Sequence, residues 1–108
     1  MKKKLKDIAH TRSGDKGANS NVGVIFKNDK LYQWAKIYLT DKIIKSYYSK
    51  IIKGPVIRYE LDNILALNFI LSDSLGGGGS ESLINDCQGK THGQMLLELE
   101  IDIPKSLL

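Results

Sequence analysis

Residues 56–71, V-I-R-Y-E-L-D-N-I-L-A-L-N-F-I-L, decide the fold of this 108-residue chain. Val56 to Leu61 and Leu65 to Leu71 read as two strands, because β-branched, aromatic and aliphatic residues cluster on either side of Asp62-Asn63, a turn-forming pair. Strands joined this tightly form an antiparallel hairpin. The second is almost wholly apolar, as a central strand buried on both faces would be. Asn68 is the exception in that run. A buried amide needs partners, so it either braces a neighbouring loop or points into a site.

Upstream, Gly54-Pro55 closes a helix that Thr40 can cap, with Ile43, Ile44, Tyr47, Tyr48, Ile51 and Ile52 on one stripe at steps of three and four. Leu31, Trp34, Ala35 and Tyr38 recur at helical spacing after Asn28-Asp29 and predict a shorter helix before it. Asn21 to Phe26 reads as a strand, Leu5, Ile8 and Ala9 as a short first strand, and residues 10–20 as the loop between them. Downstream, Met95, Leu97, Leu99, Ile101 and Ile103 alternate with acids, while 88–99 is rich in helix formers. Both signals are met by a helix over about Gly89 to Glu98 followed by a short strand ending at Pro104. Strands before and after two helices, with the 56–71 hairpin, predict a single domain over 1–108. Its class is α+β, a ferredoxin-like two-layer sandwich with helices packed on one face of a mainly antiparallel sheet.

Composition narrows the class of protein further. With 42% hydrophobic and 26% charged residues and only two prolines, the chain is neither collagenous, mucin-like nor disordered. No apolar run approaches the roughly 18 residues of a membrane span. Cys87 is the only cysteine and no apolar segment follows the basic start Met1-Lys2-Lys3-Lys4, so a reducing, cytoplasmic setting is expected. The net charge of +4 conceals an asymmetry: residues 1–53 carry 13 Lys or Arg against 4 acids, and residues 54–108 carry 3 against 8. The lysines are scattered rather than drawn into a stripe, and the strands lack the aromatic RNA-stacking signature. The basic half therefore reads as a solvated face, with no nucleic-acid partner and no membrane.

Three stretches could carry chemistry. The first, H-T-R-S-G-D-K-G-A-N-S-N at 10–21, gathers His10, Arg12, Ser13, Asp15, Lys16 and Asn21 around Gly14 and Gly17. The glycines could open an anion-binding nest of backbone N–H groups to which Arg12 and Lys16 add charge, with His10 and Asp15 as an acid/base pair. A self-bonded turn, Asp15 pairing with Arg12 or Lys16, is the structural alternative. The second is L-G-G-G-G-S at 75–80, in which Gly76, Gly77, Gly78 and Gly79 each cost about 1 kcal/mol to order relative to alanine. That suits a backbone lying flush against a ligand or partner, or else a spacer. The third is D-C-Q-G-K-T at 86–91. Its Gly89-Lys90-Thr91 imitates a P-loop, but Ile84 stands where that loop needs glycine, so an ATPase is excluded. Lys90 and a following helix N-terminus could still hold an anion, whereas Asp86 and Gln88 alone read as an ordinary helix start. His10, His92 and Cys87 lack metal-ligand spacing. His92 reads as structural or surface, and no metal or cofactor motif is present.

Together, H-T-R-S-G-D-K-G-A-N-S-N-V-G-V at 10–24, A-L-N-F-I-L at 66–71, L-G-G-G-G-S at 75–80 and D-C-Q-G-K-T-H-G-Q-M-L-L-E at 86–98 resemble the AtuA-like ferredoxin-fold domain. The likeness runs from Leu5 to Pro104. That family is named for acyclic terpene utilisation proteins, in which a similar segment forms the C-terminal part of a longer polypeptide. The resemblance implies a small subunit with a separately encoded larger partner, in acyl-CoA or terpenoid-acid catabolism. The matching positions are His10, Arg12, Ser13, Gly14, Asp15, Lys16, Gly17, Asn21, Asn68, Gly76 to Gly79, Asp86, Gln88, Gly89 and Lys90. Cys87 stands where the family would carry a small residue such as alanine, which argues against a thiol mechanism.

Two roles follow for these stretches. In one, loop 10–21 and the glycine run form a site for a small anionic ligand, a carboxylate or the phosphate of an acyl-CoA, with Arg12 and Lys16 attracting it and His10 and Asp15 handling a proton. In the other, the same loops only dock a larger partner or a second copy, since edge strands of a small sandwich commonly pair.

Overall fold

The computed structural model describes residues 1–16, 19–49, 54–72 and 92–108, for Asp15 and Lys16 the backbone only. Among the described residues, six strands run in chain order as β1 (Lys2–Lys4), β2 (Ala9–Lys16), β3 (Asn19–Phe26), β4 (Val56–Leu61), β5 (Ala66–Leu71) and β6 (Glu100–Asp102). Helices α1 (Asp29–Tyr38) and α2 (Asp41–Tyr47) lie between β3 and β4, and residues 92–97 form α3 before β6.

The main sheet has the order β2-β3-β5-β4, with every neighbouring pair antiparallel. Because β3 and β4 both oppose β5, they run parallel to each other, and α1 and α2 make the crossover between them. The predicted hairpin is present: β4 and β5 pair from Val56↔Leu71 to Leu61↔Ala66 around a 3-10 turn at Asp62–Ile64. The turn closes on Leu65, the one described non-glycine residue with a positive φ, at 55°. The expected ferredoxin-like α+β sandwich is what the chain forms.

Thr40, the cap anticipated from sequence, and Asn28, after which the spacing predicts a helix, set the helix starts. The Asn28 side chain accepts from the Leu31 amide at 2.9 Å, and Thr40 Oγ1 accepts from the Ile43 amide at 3.2 Å. The helix faces then follow the apolar stripes, burying Leu31, Tyr32, Ala35, Leu39, Ile44 and Tyr48 against Val22, Val24 and Phe26 of β3 and Leu67, Phe69 and Leu71 of β5. Leu96 of α3 and Ile101 of β6 complete that layer. Arg58, on the same face of β4, donates through Nη1 to the carbonyls of Lys36 and Leu39 at 2.7 and 3.0 Å. A guanidinium thereby satisfies carbonyls that the end of α1 leaves open.

Four expectations need correction. Residues 10–16 are strand rather than loop: β2 and β3 are in continuous register from Ala9↔Phe26 to Lys16↔Asn19, because each polar residue of β2 has a β3 backbone to pair with. The first strand is Lys2–Lys4, paired with β6 in a separate ribbon, while Leu5 lies buried in a 3-10 turn at Leu5–Asp7. Helix α2 ends at Tyr47 with Tyr48 as its C-cap, short of the predicted stripe's Ile51 and Ile52, which lie outside the described residues. Finally, β5 is central but not buried along both faces: on the face that no helix covers among the described residues, Ala66 is buried while Asn68 and Ile70 are half-exposed. In the C-terminal third, the described residues contain the expected helix followed by a short strand. No described helix is long and apolar enough to cross a membrane.

Candidate functional site

Strand periodicity and register sort the candidate residues onto two faces of the main sheet. Directly opposed residues share a face, so the open face carries three rows: His10, Ile25, Ala66 and Leu61; Arg12, Gly23, Asn68 and Tyr59; and Gly14, Asn21, Ile70 and Ile57. Arg12, Gly14, Asn21 and Asn68 are thus brought together from separate sequence stretches. Asn21 and Asn68 are diagonal neighbours on adjacent strands, about 7 Å apart.

A cleft of about 240 Å³ opens there, lined by Asn19, Ser20, Asn21, Asn68 and Ile70. Gly23 shapes the ground between Arg12 and Asn68. A Cβ at that position would stand 3.7 Å from the Arg12 carbonyl oxygen and 3.9 Å from Asn68 Oδ1, so its absence leaves a shallow trough across the row. Gly14 does not adopt the left-handed φ expected of a nest. Its role is spatial, since the Asn21 carboxamide oxygen would lie 3.3 Å from a Cβ there. Arg12 is solvent-exposed and lies in the same row as Asn68, two strands away across Gly23. The chemistry on offer is recognition: amides that donate and accept, and a cation nearby.

Other predicted residues are not brought together. His10, exposed opposite Ile25, and Asp15, opposite Ser20, are five residues apart on one extended strand, about 16 Å along it. Ser13 belongs by register to the helix-covered face and meets α3: a Cβ on Gly93 would come within 2.8 Å of its Oγ. Lys16 is opposite Asn19. Gly17, Gly76, Gly77, Gly78, Gly79, Asp86, Cys87, Gln88, Gly89 and Lys90 lie outside the described residues.

Sequence reasoning missed the buried partner of Ser20. His92, at the start of α3, is 1% exposed, and its Nδ1 is 3.0 Å from Ser20 Oγ. The ring packs at a tilt on Tyr48, whose hydroxyl donates to the His92 carbonyl. Nε2 has no hydrogen-bond partner among the described residues. Burial lowers the His92 pKa, so the ring is neutral, and burial raises that of the Tyr48 phenol. An unpaired acceptor is cheaper to bury than an unpaired N–H, which favours the tautomer with Nδ1–H donating to Ser20 Oγ. A lone histidine gives no signal of this. Only Gly93 beside it, the residue that lets α3 approach Thr11 and Ser13, hints at close packing, and Thr11 Oγ1 indeed donates to the Gly93 carbonyl at 3.0 Å.

An antiparallel sheet with helices on one face and a polar cleft at one end of the other defines a small α+β domain of ferredoxin-like type. The chain belongs to the AtuA ferredoxin-like domain family, whose model matches residues 3–102. No curated protein and no solved structure matches it.

Proposed function

We propose that this chain is the small, ligand-holding subunit of a two-component AtuA-like assembly acting in acyl-CoA or terpenoid-acid catabolism. The ligand is anionic, a carboxylate or a coenzyme A phosphate. The observation that carries this reading is the convergence of Asn21 and Asn68 on one cleft, with Arg12 in Asn68's row across Gly23. Carboxamide donors fix the orientation of a bound oxyanion, while a guanidinium at the rim adds attraction that salt screens. Chemistry on the ligand falls to the assembled complex.

Calorimetric titration of the chain with coenzyme A and with a branched short-chain carboxylate tests the site. Asn68→Ala is expected to abolish binding, and Arg12→Ala to weaken it and flatten its salt dependence. Binding unchanged in both variants, or absent in the native chain, overturns the reading. Affinity capture from the native host with mass spectrometry tests for the larger partner.

A second reading, an interaction module without a ligand, is favoured by a different observation. Ile57, Tyr59 and Leu61 are 44%, 51% and 40% exposed on the open face of β4. A lengthened side chain at Gly23 would then leave assembly intact while filling the trough, which separates the two roles.

A further inference from the structure

We propose that β4 is a self-complementary edge through which two copies of this chain pair into one continuous antiparallel sheet. The proposal rests on the fold and is independent of the anion site. β4 is the last strand in the order β2-β3-β5-β4, and among the described residues nothing pairs with its outer side. Such edges are ordinarily blunted by charged side chains, by proline or by a bulge. Residues 56–61 contain no proline, their register with β5 is unbroken, and their two charges, Arg58 and Glu60, are of opposite sign and so attract rather than repel when the strand pairs antiparallel with itself.

The outward-facing backbone groups can be assigned. Ser72 N–H donates to the Pro55 carbonyl at 3.2 Å, and the β4/β5 register places Pro55 opposite Ser72, a hydrogen-bonded position. Hydrogen-bonded positions alternate along an antiparallel strand, so Ile57, Tyr59 and Leu61 bond to β5, and Arg58 and Glu60 point their N–H and C=O groups outward. A two-fold axis through Tyr59 makes Arg58 of each copy exchange backbone hydrogen bonds with Glu60 of the other. It also sets the two Tyr59 rings face to face and Ile57 against Leu61.

The side chains match under the same operation. Read outward from Tyr59, the strand is cation and apolar on one side, anion and apolar on the other: Ile57-Arg58-Tyr59-Glu60-Leu61. Antiparallel self-pairing therefore opposes unlike charges and like apolar groups. Within one copy Arg58 Nη2 already pairs with Glu60 at 3.1 Å, with Lys36 at 3.7 Å from the same carboxylate. A second copy turns this into an alternating cluster on the helix side of the sheet and covers the exposed strip on the other. The pairing is isologous, each copy giving and receiving the same contacts.

Sedimentation equilibrium of the native chain should give twice 12.1 kDa. Tyr59→Lys and Tyr59→Glu each place like charges on the axis, and each alone should self-associate about tenfold more weakly or worse. Mixing the two variants opposes unlike charges and should restore the dimer as a heterodimer. Tyr59 is half-exposed, and circular dichroism checks that both variants keep the fold. A native chain that stays at 12.1 kDa overturns the proposal. So does a dimer indifferent to either substitution, or a mixture that fails to reassociate.

Discussion

Ser20 Oγ and His92 Nδ1 are 3.0 Å apart, joining β3 to the start of α3 across 72 residues of sequence. The contact is buried, and it orients the imidazole so that its other nitrogen finds no partner. Among the described residues, the one sheet residue with a buried polar side chain is thus tied to the one buried side-chain nitrogen that stays unsatisfied. Stability should register that arrangement through pH.

Burial holds the His92 pKa below its ordinary value of about 6.5. The unfolded chain then binds a proton that the native chain resists, so stability rises with pH across this window. The contribution is complete above about pH 6.5 and is lost as pH falls below it, at up to about 1.4 kcal/mol per pH unit. His92→Asn should flatten that slope. Urea midpoints measured between about pH 5 and 7 check it, a range above the ordinary carboxylate region. An unchanged slope in the variant would mean that His92 is not the group responsible.

Gly93 should be intolerant of a side chain. A Cβ there would lie 2.8 Å from Ser13 Oγ, 3.1 Å from Ser13 Cβ and 3.1 Å from Thr11 Oγ1. Gly93→Ala is expected to destabilise by about 1–3 kcal/mol through overpacking, although alanine by itself favours a helix by about 1 kcal/mol. Gly23→Ala meets only ordinary contacts and should stay within about 0.5 kcal/mol of the native chain. Thermal melts of the two variants separate close packing from an open trough.

At the other end of the domain, the Tyr32 hydroxyl donates to Asp62 Oδ1 at 2.5 Å, with Lys36 at 3.4 Å from the same oxygen. These contacts hold the Asp62 carboxyl below the usual carboxylate range, the tyrosine hydrogen bond first among them. Tyr32→Phe should raise the Asp62 pKa towards its ordinary value of about 3.9. Because a depressed carboxyl stabilises the fold above its unfolded pKa, the native chain should lose this contribution only as pH falls through the acid range, and the variant should lack most of it. Carboxyl chemical shifts followed through an acid titration read the change directly.

These outcomes divide along what a linear sequence can disclose. Thr40 acts on an amide three residues away and the 56–71 hairpin closes over its own turn, so short-range rules found both, and the helix expected after Asn28-Asp29 starts there with Asn28 as its cap. The segment His10–Lys16 carries no alternation of apolar and polar residues. It is a strand because β3 supplies a partner for every residue, a long-range fact. The cleft was half legible: Asn68 stood out as a polar residue in an apolar run and Asn21 as the end of the polar stretch 10–21, while their placement as diagonal neighbours depends on β3 and β5 being adjacent in the sheet. For His92 the structural alternative was legible but its partners were not, since they come from β3 and the end of α2.

Arg58 was likewise read as a strand residue and nothing more, yet it stands where the layers meet. Its guanidinium donates to the Lys36 and Leu39 carbonyls and pairs with Glu60, so it fastens the end of α1 to β4. Removing it leaves partly buried carbonyls without a donor, whereas removing the Glu60 charge breaks only a screened surface pair. Arg58→Met keeps the aliphatic stem and should cost about 1–3 kcal/mol, and Glu60→Gln less than about 1 kcal/mol. Added salt should narrow the loss from Glu60→Gln and leave that from Arg58→Met nearly unchanged. Chemical denaturation at low and high ionic strength decides it: equal losses in the two variants would assign the fastening to the ion pair instead of the carbonyls.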